Sequence, residues 1–143
     1  MILARFPAWQ PFATFIAGPD GSTAVVEFQV PCPSGAVERG LLVATDGGEL
    51  TVGFHTHHTH FGMFIEDDQL QQIKAGLDHA GDMFDERIGV VSWYCGGCFA
   101  GSSSLDLPHP APLPRLREIF PNRPDCDRIT LRSWTGRFDR DED

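Results

Sequence analysis

The run "GFHTHHTHFG", Gly53 to Gly62, places four of the chain's six histidines within six residues. Imidazole ligates transition metals, moves protons near neutral pH and presents polar edges to a partner, so the cluster could serve any of these ends. Spacing narrows the choice. On a regular strand successive side chains alternate faces, which pairs His55 with His57 and His58 with His60. Four ligands then cannot converge on one ion, although one pair can, with donors from elsewhere or a bulge that re-aims the chain.

Two metal templates bear on this run. Metallo-β-lactamase-type hydrolases carry His-x-His-x-Asp-His, but here Thr59 stands at the aspartate and the chain is short for that fold. JAMM zinc isopeptidases carry His-x-His and, after ten intervening residues, an aspartate. His55, His57 and Asp68 fit that spacing, with Glu27 the available catalytic carboxylate. Their serine position is Ile65, which removes a group that would stabilise an oxyanion. A zinc-dependent hydrolase is therefore the alternative reading, and the leading one assigns no catalytic residue, metal or cofactor.

The second constellation is "CGGC", Cys95 to Cys98. Its C-x-x-C spacing suits a redox motif or half a zinc site, yet its surroundings read strand, Gly-Gly, strand. A redox cysteine is activated at a helix N-terminus, and none is expected here. The expectation is a two-residue hairpin turn flanked by two free thiols. The prolines and lone arginine of "MILARFPAWQPFATFIAG" do not make a secretory signal, so the chain reads as cytoplasmic, where thiols stay reduced.

The positioning elements follow from periodicity. Residues 23–30, 39–45 and 49–57 read as strands, the last two joined by an Asp-Gly-Gly turn. Leu70, Ile73, Leu77, Ala80 and Phe84 recur at helical spacing and predict one helix over 67–85, with Gly76 and Gly81 as weak points. Strands over 88–95 and 98–104, a proline-rich loop over 106–114, a short helical turn and a final strand over 127–139 complete the chain. The order lacks βαβ alternation. It predicts a single α+β domain over 1–143, an antiparallel sheet of about five to six strands with one main helix on one face.

Composition restricts partners. With 20 acidic and 11 basic residues the net charge is −9, which argues against nucleic acid and favours a basic protein partner. No apolar run is long enough to span a membrane.

Three stretches together resemble small bacterial immunity proteins of polymorphic toxin systems. They are the strand segment His58-Thr59-His60-Phe61, the hairpin containing Trp93, and the terminal Arg132-Ser133-Trp134 with Gly136. The resemblance covers about residues 40–139 and implies a non-catalytic antidote that binds a cognate toxin. On that footing the partner-binding candidates are His58 and His60, the carboxylates Glu66, Asp67 and Asp68, and Trp93 as an aromatic anchor. Asp78, Asp82, Asp85 and Glu86 extend the negative charge.

Overall fold

Antiparallel hairpins build most of this protein. The computed structural model describes residues 1–17, 24–36, 39–46, 48–62, 69–107, 113–123 and 125–143. A four-residue helix α1 (Ile2–Arg5) and a 3₁₀ segment (Pro7–Phe12) lead into β1 (Ala13–Ala17), β2 (Ala24–Val30), β3 (Leu41–Asp46), β4 (Glu49–Phe54) and β5 (His57–Phe61). Helix α2 (Gln69–Phe84) follows, then β6 (Ile88–Cys95), β7 (Cys98–Asp106), a single turn α3 (Leu116–Ile119), β8 (Arg128–Arg132) and β9 (Arg140–Glu142). The fold is α+β, as the element order predicts. The strands form two sheets instead of one of five to six: β1-β2-β3-β4-β5 and β7-β6-β8-β9. In the second sheet β6 is an interior strand, pairing with β7 on one edge and with β8 on the other.

The residues group into two compact units. The first comprises residues 1–54 and 58–81, the second residues 55–57 and 82–143. In the first, register places Phe28, Val43 and Val52 side by side on one face, with Val30, Leu41 and Phe54 beside them. All six are buried, as is Trp9, which stacks on Phe6 at 3.9 Å. In the second, Val91, Trp93, Leu107, Leu116, Cys126, Ile129 and Leu131 form the core.

Helix α2 buries a face one step away from the expected stripe. Leu77 and Ala80 are buried, whereas Leu70 and Phe84 are exposed. The buried arc includes Gly76, where a Cβ would stand 2.6 Å from Leu50 Cδ2 and 2.9 Å from Phe61 Cδ2. Glycine is therefore a packing requirement at this position, not a weak point. The helix ends in a Schellman pattern: Arg87 N–H donates to the Asp82 carbonyl at 2.7 Å and Glu86 N–H to the Met83 carbonyl at 3.1 Å. Glu86 occupies the left-handed position, φ +55°, that glycine usually fills.

That placement is compensated by the Glu86 carboxylate, which accepts from the Thr135 N–H at 2.8 Å. The expected strand over 127–139 stops at Arg132 for a related reason. Ser133 and Asp139 close a turn on each other: Ser133 N–H donates to Asp139 Oδ1 at 3.0 Å, and Phe138 N–H to Ser133 Oγ at 3.1 Å. Side-chain acceptors here replace a ladder partner.

Gly76→Ala gains about 1 kcal/mol of helix propensity and incurs about 1–3 kcal/mol of overpacking. Urea denaturation of the variant is expected to show net destabilisation, because Leu50 is fully buried and cannot yield. Burial pushes the Glu86 carboxyl up, but hydrogen bonds from the Ser133 and Thr135 hydroxyls and from the Thr135 and Arg137 N–H groups outweigh it, and the net direction is down. A lowered carboxyl stabilises the fold above its ordinary value and stops doing so as pH falls through the lowered one. Wild-type protein should thus exceed Glu86→Gln in thermal stability at pH 7, with the gap closing as pH falls below the ordinary carboxyl value and through the lowered one.

Candidate functional site

The histidine run is not one strand. Phe54 ends β4, His55 and Thr56 form a two-residue turn, and His57 starts β5. His55 adopts φ +54°, an uncommon conformation that histidine tolerates better than β-branched residues do. The pairing of His55 with His57 on one strand face is thereby corrected, because a turn residue does not follow strand alternation. His58 and His60 do share the exposed face of β5, their rings edge to face at 5.1 Å.

On that face His60 Nδ1 lies against Glu49 Oε1 and, at 3.1 Å, Thr51 Oγ1, both contributed by β4. Thr51 Oγ1 also donates to Glu49 Oε1 at 3.1 Å. Neighbouring strands thus deliver two imidazoles, a hydroxyl and a carboxylate to one surface, with Glu49 held by His60 and Thr51. When His60 is protonated the contact is an ion pair; when it is neutral, it remains a hydrogen bond through Nδ1–H.

His55 to His57 belong to the second unit. Thr56 Oγ1 lies 2.6 Å from Ser92 Oγ, His57 Nδ1 lies 3.1 Å from Ser102 Oγ, and Ser102 Oγ donates to the Thr56 carbonyl at 3.3 Å. A histidine beside a serine is the geometry of a base and its nucleophile. The single Ser102 proton goes to the Thr56 carbonyl, and the ring N–H of His57 can donate to Ser102 Oγ. The arrangement ties a turn to β6 and β7. Ser92, fully buried, gains a partner that it needs.

The other expected site residues scatter. Glu66, Asp67 and Asp68 lie outside the described residues. Trp93 is 6 % exposed, within the second core, between Phe120 at 5.8 Å and the Arg123 guanidinium at 4.5 Å. The anchor reading of Trp93 requires an exposed ring, and this ring lies in the core. The reason is register: β6 positions 91, 93 and 95 face the core that α3 and the segment before β8 close. Glu27 turns to its neighbour Gln29 on β2. Among the described residues no group of three or more His, Cys, Asp or Glu side chains is placed to hold a metal.

The carboxylates of α2 and its C-terminal end are partly neutralised. Asp78 pairs with Arg5, and Arg87 takes both Asp82 at 2.7 Å and Asp85 at 3.1 Å. Asp141, on β9, sits between Arg132 at 2.5 Å and Arg128 at 2.7 Å. The hydrogen bond from Arg132 is the main cause holding its carboxyl below the ordinary range, against burial and with help from Arg128.

One cluster escaped the sequence reading. Tyr94 and Phe99 face each other across the Gly-Gly turn at 6.0 Å, and the Arg128 guanidinium lies 5.7 Å from the Tyr94 ring. Phe99 is 51 % exposed. The signal was present: an aromatic at equal distance outside each cysteine of a two-residue hairpin must lie cross-strand, on the face opposite Cys95 and Cys98.

No protein-family model matches the chain, and no curated protein or solved structure is significantly similar to it. None of the helices among the described residues is long and apolar enough to cross a membrane.

Thr56→Val leaves the buried Ser92 hydroxyl without that partner and should cost about 1–3 kcal/mol. Adding Ser92→Ala should recover part of the loss. A double-mutant cycle by chemical denaturation reads the coupling; additive single effects would contradict the assigned hydrogen bond.

Proposed function

We propose that the chain is a non-catalytic immunity protein that binds a basic toxin protein and neutralises it. The observation that carries this reading is the exposed His58–His60 pair on β5, with His60 held against Glu49 of β4. A preformed polar rim of this kind loses little side-chain entropy on docking. The net charge of −9 supplies long-range attraction towards a cationic partner. Exposed Phe99, half-buried Tyr94 and Arg128 add the residue types that dominate binding energy at protein interfaces. The resemblance of the His58 to Phe61, Trp93 and Arg132 to Gly136 stretches to immunity proteins points the same way.

A cytoplasmic site of action belongs to this proposal, since an antidote must meet toxin inside the cell it protects. The binding chemistry is then protein against protein, without cofactor and without nucleic acid. In this reading Glu66, Asp67 and Asp68 remain candidates for the acidic part of the surface.

Co-expression of the adjacent gene's product tests the reading. That product should arrest growth alone and be harmless beside this chain. The triple variant His58→Ala, His60→Ala, Glu49→Lys should weaken binding by about tenfold or more, near 1.4 kcal/mol, chiefly through slower association. Tyr94→Ala with Phe99→Ala should instead speed dissociation. Full toxicity in the presence of soluble protein would sink the function; unchanged affinity in both variants would sink the surfaces while leaving the function.

A further inference from the structure

The expectation of free thiols at both ends of the CGGC turn fails at one of them. Cys95 is bonded to Cys126, 31 residues away, with the Cα atoms 4.1 Å apart. Proximity in the fold brings together two cysteines that sequence distance had separated. Cys98 is free and exposed. It is also the direct cross-strand partner of Cys95. Both turn residues have positive φ, Gly96 at +60° and Gly97 at +76°, as a tight two-residue turn requires.

We infer that Cys95, Cys98 and Cys126 form a thiol–disulfide exchange site in which Cys95 alternates between two partners. Side chains directly opposed on an antiparallel pair have Cβ atoms about 4.5–5.5 Å apart, within reach of a sulfur–sulfur bond after a small adjustment. The Cys98 thiolate attacks Sγ of Cys95. The Cys95–Cys126 bond breaks, a Cys95–Cys98 bond forms, and the electron pair leaves on Cys126 Sγ, which takes up the proton that Cys98 lost. The step is an isomerisation, with one disulfide and one thiol on each side, and it needs no external oxidant. Exposure makes Cys98 the natural attacking sulfur, because water stabilises the thiolate that burial would penalise.

The exchange has a structural consequence. Cys126 ties the segment before β8 to β6. That segment carries Pro121, Asn122 and Arg123, which with Trp93, Ser103 and Phe120 line a cavity of about 390 Å³. Arg117 also holds it, donating to the Cys126 carbonyl at 2.9 Å and the Asp127 carbonyl at 3.1 Å. Once Cys126 is released, non-covalent contacts alone keep Arg123 over Trp93. The site therefore couples the choice of disulfide partner at Cys95 to how firmly the segment lining the Trp93 cavity is held.

Peptide mapping of the intact chain tests this. Arg87, Arg115, Arg117 and Arg128 place Cys95 and Cys98 in tryptic peptide 88–115 and Cys126 in peptide 118–128. Protein is held at neutral and at mildly alkaline pH, free thiols are capped with iodoacetamide, and the non-reduced digest is weighed. At neutral pH the two peptides should be cross-linked with the cap on Cys98. At alkaline pH a share of the cap should shift to Cys126, with an internal bond in peptide 88–115. Cys98→Ser should abolish that shift while keeping the cross-link. Capping confined to Cys98 at every pH would overturn the inference. So would capping of Cys126 that persists in Cys98→Ser, since that reports simple opening without exchange.

Discussion

The turn at His55 and Thr56 decides what the histidine run can do. Two residues are enough to reverse an antiparallel chain, provided one accepts a left-handed backbone, and His55 does so. The reversal ends alternation. It separates His55 from the strand geometry of His57, sends Thr56 to the buried hydroxyl of Ser92, and leaves His58 and His60 together on the exposed face of β5. A continuous strand would have offered a two-histidine ligand pair, whereas a hairpin offers a surface rim beside Glu49 and a structural tether at Ser102.

Charge follows a similar logic of placement. The chain is strongly acidic, yet several carboxylates are already engaged by arginine: Asp78 by Arg5, Asp82 and Asp85 by Arg87, Asp141 by Arg128 and Arg132. Exposed pairs of this kind contribute little stability each, in the range of about 0–1 kcal/mol. They do fix local fields, and they leave the long-range attraction of a −9 protein undiminished. Glu86 differs, because its carboxylate is spent on the turn that follows β8, where it offsets an unfavourable backbone conformation of its own residue.

What was legible in the sequence was local. The α+β class, the helix expected over 67–85 and found over Gln69–Phe84, the Gly-Gly turn between Cys95 and Cys98 and the short helix near 116 all follow from patterns within one element, because backbone hydrogen bonding and side-chain alternation act over a few residues. The sharing of a face by His58 and His60 is of this kind. What only the tertiary structure decided was non-local. Strand β8 returns to the free edge of β6, so that the nine strands among the described residues fall into two sheets; Cys126 meets Cys95 across 31 residues; Trp93 and not Tyr94 turns inward; Gly76 must stay small because Leu50 and Phe61 press on it. Each of these depends on which surface covers which face. Periodicity names the two faces of an element but does not say what packs on either, since burial is a property of pairs of elements brought together from distant parts of the chain.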